Sequence, residues 1–150
     1  MKPTPSGWPR LSTSIFYDDP RAAIDWLCRA FGFEVRLKVE GDDGAIHHSE
    51  LCFGEALVMV SGTGGKEPWQ ALYRSPQAAG LITQASAIFV DDVDLHYQSA
   101  LEAGAKVVRE PTTSDYGEQY WVDRSYGALD PEGHLWWFMQ RIRSAPERAQ

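Results

Sequence analysis

Hydrophobic and polar positions along the chain follow two periods, and the switch between them occurs twice. Leu11, Thr13, Ile15 and Tyr17 share one face of an extended segment and Ser12, Ser14 and Phe16 the other, which predicts a strand. Asp19-Pro20 follows, a capping side chain and a residue whose fixed φ suits the first helical position. Ala23, Ile24, Leu27, Ala30 and Phe31 then recur at helical spacing until Gly32 ends the helix. Three strands are predicted next, over 33–39, 46–53 and 56–60. Gly41-Asp42-Asp43-Gly44 is the first turn between them and Gly54-Glu55 a tight hairpin.

Residues 61–82 break the pattern. They are rich in Gly, Pro and Ser and carry Trp69, Leu72 and Tyr73, as a lid, binding loop or linker does. The order then returns: a strand over 85–90, a helix opened by Asp91-Asp92 with Val93, Tyr97, Ala100 and Leu101 on one face, and a close at Gly104. Strands are predicted over 106–109, 120–129 and 135–141, the last two joined by the turn Asp130-Pro131-Glu132-Gly133. Val90-Asp91-Asp92 matches Tyr17-Asp18-Asp19 at an offset of 73 residues, and Leu135 matches Leu57 at 78. The chain is thus expected to hold two β-α-β-β-β modules, about 10–61 and 83–141, with the connection 62–82, an extension 1–9 and a tail 142–150.

The residues Tyr17-Asp18-Asp19-Pro20-Arg21-Ala22-Ala23-Ile24-Asp25-Trp26, Phe31-Gly32-Phe33-Glu34 and Val90-Asp91-Asp92-Val93-Asp94 carry a resemblance. So do Ala103-Gly104-Ala105 and Asp130-Pro131-Glu132-Gly133-His134-Leu135-Trp136. Over roughly 10–141 the chain resembles the vicinal oxygen chelate superfamily of glyoxalases, bleomycin resistance proteins and extradiol dioxygenases. The resemblance implies an α+β fold: an eight-stranded, curled mixed sheet around a cup-shaped cavity, with the helices outside. It also implies a homodimer.

Metal-dependent members of that family place one ligand near the end of each of four strands. The resemblance puts those positions at Ser12, Met59, Ala85 and Trp137, and none is a usual ligand for a catalytic divalent metal. No metal and no cofactor is therefore expected, and glyoxalase I or dioxygenase chemistry is rejected. Strand alternation then assigns the cup its lining: Ser12, Ser14, Phe16, His48, Glu50, Met59, Phe89, Arg124, Tyr126 and Trp137, with Trp69 over the mouth or at a dimer contact. Trp121, of opposite parity to Tyr120, is expected beneath a helix, and Glu50 and Arg124 are a candidate ion pair. An apolar pocket with a few convergent polar groups suits a small molecule.

Composition narrows the partners. The net charge is −7, from 14 basic and 21 acidic residues, with no basic stripe for phosphates, so no nucleic acid is expected. The same balance favours cationic or neutral ligands. No apolar run is long enough to span a membrane. The N-terminus lacks the apolar core of a signal peptide. Cys28 and Cys52 make no disulfide framework, which points to the cytoplasm. The leading expectation is a metal-independent protein of the bleomycin-resistance type that sequesters an aromatic or cationic compound. One alternative is a metal-free lyase or isomerase using His48, Glu50 or Tyr126 for proton transfer. Another is a metal enzyme with relocated ligands.

Overall fold

The computed structural model describes residues 1–146 and contains two compact units, residues 1–81 and residues 82 onward. Each holds one four-stranded mixed sheet, eight strands in all, so the fold class is α+β. The last four residues of the expected tail lie outside the described residues.

The first unit comprises β1 (Thr13–Tyr17), α1 (Pro20–Phe31), β2 (Glu34–Glu40), β3 (Ile46–Phe53) and β4 (Ala56–Gly62), in sheet order β1-β4-β3-β2. Only β1 and β4 run parallel. Helix α1 starts where Asp19 accepts from the Ala22 amide at 3.0 Å with Pro20 behind it. It stops at Gly32, whose φ of 77° suits glycine and lets its amide donate to the last turn. Ala23, Ile24, Leu27, Ala30 and Phe31 are buried, as are Ile15, Tyr17, Leu51, Val58 and Val60 of the sheet on which α1 packs. Each large side chain so buried contributes about 1.5–3 kcal/mol. Ser49 is buried among them because its hydroxyl donates to the Val60 carbonyl at 2.6 Å and accepts from the Val60 amide at 3.1 Å. It thereby continues the β3–β4 ladder past Leu51, where backbone pairing stops.

The connection is not structureless. It forms a 3-10 helix (Pro68–Leu72) and a short α2 (Pro76–Ala79) capped by Ser75.

The second unit repeats the plan with β5 (Ala85–Phe89), α3 (Val93–Glu102), β6 (Lys106–Asp115), β7 (Val122–Leu129) and β8 (Leu135–Arg143), in order β5-β8-β7-β6. Asp92 caps α3 through the Leu95 amide at 2.9 Å. Tyr126, Ala128, Trp136 and Phe138 are fully buried, and the His96 and Tyr97 rings of α3 pack on Tyr126. Strand β6 runs six residues past the expected Arg109. Pro111 is tolerated because β6 is an edge strand with register shifts around that point. Strand β7 starts at Val122 rather than Tyr120, since Tyr116 to Trp121 form the turn that leads into it.

One expectation about the sheet is reversed. Arg124 and Tyr126 were assigned to the face opposite the helix, yet both lie on the helix face. Arg124 pairs with Asp94 of α3, and Tyr126 is 0% exposed with its hydroxyl 2.6 Å from His96 Nδ1. The cause is turn length. Cys52 pairs with Leu57, whereas Leu129 pairs with Leu135, so the second hairpin holds one more residue than the first. A shift of one residue turns every side chain of a strand to the other face.

Candidate functional site

In the first unit the face away from α1 carries the predicted residues Ser14, Phe16, Met59, Glu50 and His48, with Ser12 half-buried just before β1. Glu50 is an acid with only 5% of its surface exposed. One carboxylate oxygen meets His48 Nε2 at 3.0 Å, and the other meets Arg36 Nε at 3.2 Å. Arg36 in turn donates to the Gly7 carbonyl and lies over the Trp8 ring at 5.6 Å. Thus the extension 1–9 closes over this group. Glu50 takes Arg36 as its partner, in place of the expected Arg124. Arg36 was missed because it sits at a register shift between Val35 and Leu37, where strand alternation no longer predicts a face. Charge alone did not single it out, because Glu34, Arg36, Lys38 and Glu40 all alternate with Val35, Leu37 and Val39.

A crevice of about 700 Å³ opens at the C-terminal ends of the parallel strands β1 and β4. Its aromatic wall is Phe16 with Tyr73 stacked on it, centroids 3.6 Å apart and planes 17° from parallel. Trp69 meets Tyr73 edge-on at 5.6 Å. Asp18 fastens this wall, accepting from the Thr63 hydroxyl at 2.6 Å and the Ser75 hydroxyl at 2.9 Å. Those hydrogen bonds hold its carboxyl below the ordinary value of 3.8. The connection is therefore tied to the end of β1 at two points twelve residues apart.

In the second unit, the face away from α3 carries a row of paired residues across all four strands: Ala87, Trp137, Gly127 and Arg109. The small neighbours let the half-exposed Trp137 indole lie over Gly127, so close that a β-carbon there would stand 2.8 Å from the ring. Arg109 approaches the same ring at 5.9 Å. Farther along, Arg141 lies between Phe89 at 5.3 Å and Trp121 at 5.2 Å, with Asp123 as its carboxylate partner. Trp121 thus packs on Arg141 and is partly exposed, where a place beneath a helix was expected. The half-turn before β7 makes its parity irrelevant.

Tyr126 leaves the set of accessible groups. It stacks on Phe138 and bonds to His96, and burial pushes its phenol well above the ordinary 10. Arg124 is held by Asp94 at 2.7 and 2.8 Å, and the guanidinium keeps the Asp94 carboxyl below its usual value.

The side chains do not fit a divalent metal. At the four positions where the resemblance expects ligands, Ser12 offers a hydroxyl and Met59 a thioether, and Ala85 and Trp137 offer no donor. Among the described residues no three of His, Cys, Asp and Glu converge on one point. At His48 and Glu50, the alternative pair of donors, the second carboxylate oxygen already meets the Arg36 guanidinium at 3.2 Å.

A family model described as the Glyoxalase/Bleomycin resistance protein/Dioxygenase superfamily matches residues 11–138. An uncharacterized protein of Mycobacterium bovis is 33% identical over 140 residues, covering 90% of this chain and 85% of its own length. The crystal structure of TioX from Micromonospora sp. ML1 superposes with a TM-score of 0.69 at 32% identity, over 90% of this chain and 100% of that one. A glyoxalase/bleomycin resistance protein/dioxygenase family enzyme from Burkholderia phytofirmans PsJN shares the fold, with a TM-score of 0.63 at 19% identity over 87% and 97% of the two chains.

Proposed function

The chain belongs to the glyoxalase/bleomycin resistance protein/dioxygenase superfamily, and from that premise we propose that it is a metal-independent small-molecule-binding protein. It sequesters a planar aromatic or cationic compound on the open sheet faces, as a homodimer in the cytoplasm. Among the described residues no helix is long and apolar enough to cross a membrane.

The observation that carries this reading is the Trp137 indole, laid flat over Gly127 and half-exposed. A buried tryptophan would serve packing alone. A partly exposed ring that lies against the sheet is a stacking surface for another ring or for a cation. Phe16, Tyr73 and Trp69 offer further aromatic surface in the first unit. Isothermal titration against a panel of planar neutral and cationic aromatics tests the reading. Binding that weakens at least tenfold in Trp137→Ala is expected. A panel without any binder, or binding indifferent to that substitution, would sink it.

One observation favours a second reading, metal-free proton transfer. The His48–Glu50 contact at 3.0 Å is the arrangement in which a carboxylate orients an imidazole for acid–base work. The His48 side chain is 38% exposed, so a substrate can reach the ring. The discriminating result is turnover of a bound compound that disappears in His48→Ala while binding persists.

A further inference from the structure

Four arginines lie among the described residues of the second unit. Arg124 holds Asp94, Arg141 holds Asp123 and Arg143 holds Asp115. Arg109 holds only a hydroxyl, that of Ser114 at 3.2 Å. Its position is nonetheless specified by the backbone. It pairs with Gly127, the residue on which the Trp137 indole rests, and register shifts fall on both sides of it, between Val107 and Arg109 and between Arg109 and Thr112. Bulges of this kind re-aim a side chain. Here they bring an exposed guanidinium to 5.9 Å from the indole, on the same face.

Resting on the small-molecule-binding reading above, we infer that Arg109 anchors an acidic group of the ligand, which is a planar aromatic carboxylate. The ring stacks on Trp137, and the carboxylate accepts from the two-pronged N–H edge of Arg109. A guanidinium matches a carboxylate in this geometry, and its bond to Ser114 uses only one of five N–H groups. The glycine between them leaves room for the ring, since a β-carbon there would stand 2.8 Å from it. The net charge of −7 does not oppose an acidic ligand at this point. Distant charges are screened over about 8 Å at physiological salt, so the adjacent guanidinium dominates.

The test uses the full chain and a matched pair of probes, 2-naphthoate and 2-naphthamide, titrated calorimetrically at low and at physiological salt. Naphthoate is expected to bind on the order of five- to tenfold more tightly than the amide at low salt, with the preference shrinking as salt rises. In Arg109→Met the ratio falls to about one. Arg109→Lys, which keeps a charge without the fork, retains part of it. Circular dichroism confirms that both variants fold. Equal binding of acid and amide to the native protein overturns the inference, as does a preference that survives Arg109→Met. In either case amide binding that still depends on Trp137 leaves the small-molecule reading standing. Failure of both probes to bind up to their solubility limit sinks the inference and the reading together.

Discussion

Replacing Gly127 with alanine adds a single methyl group beneath the Trp137 indole. The added carbon would lie 2.8, 3.0 and 3.0 Å from three ring atoms, whereas ordinary contact begins at 3.4 Å, so the ring must withdraw by about 0.2–0.6 Å. The backbone does not resist, because Gly127 does not sit at positive φ. Without the clash, alanine would stabilise the fold by about 0.4–1 kcal/mol by restricting the unfolded chain. Overpacking in a closed core costs about 1–3 kcal/mol. The indole is half-exposed and can yield toward solvent, so the net loss is expected at about 0–2 kcal/mol. Binding suffers far more, since the tilted ring no longer presents a flat surface beside Arg109. Urea denaturation, near-ultraviolet circular dichroism and calorimetric titration with a planar aromatic measure the two effects separately. The expected result is a small shift in midpoint, a changed aromatic spectrum and at least tenfold weaker binding. Native affinity in Gly127→Ala would refute the stacking role. A loss beyond about 4 kcal/mol would show that the indole is a fixed core element and no platform.

Other consequences follow from the neighbouring contacts. Asp18→Ala removes the acceptor that Thr63 and Ser75 share, so chymotrypsin should cleave faster at Trp69 and Tyr73 while far-ultraviolet dichroism stays native; unchanged cleavage would contradict the fastening role. The carboxyl of Asp18 is depressed, so this fastening is whole above its ordinary 3.8 and should be lost only as pH falls below that value, read by the same cleavage with an acid-active protease. Glu50→Gln leaves Arg36 without a carboxylate and should cost about 1–3 kcal/mol in urea denaturation; a neutral result would mean the buried pair contributes nothing net. The Tyr126 phenol is raised by burial, so its contribution is complete below the ordinary 10 and declines as pH climbs toward the folded value. The melting temperature should fall above pH 10, less steeply in Tyr126→Phe, and a Tyr126 that ionises in the native protein alongside the exposed tyrosines would contradict this.

Much of the fold was legible because its signals are local. Asp19 and Asp92 cap the helices where their spacing predicted, Gly32 ends α1, and the alternation in β1 places Ser14 and Phe16 opposite Ile15 and Tyr17. Parity can be counted along one strand. It cannot be carried across a turn of unknown length, and one additional residue before β8 was enough to place Arg124 and Tyr126 on the wrong face. The same limit hid Arg36 and Arg109, which stand at register shifts where two residues face one.

The sequence by itself determined the α+β class and the repeated β-α-β-β-β order, because caps and turns are properties of short segments. Only the tertiary structure decided that Glu50 is shared by His48 and Arg36, that Tyr73 covers Phe16, and that Trp137 lies on Gly127 beside an unneutralised Arg109. These are contacts between strands and loops. They depend on register, bulges and turn lengths, which are set when the sheet closes and not along any single strand.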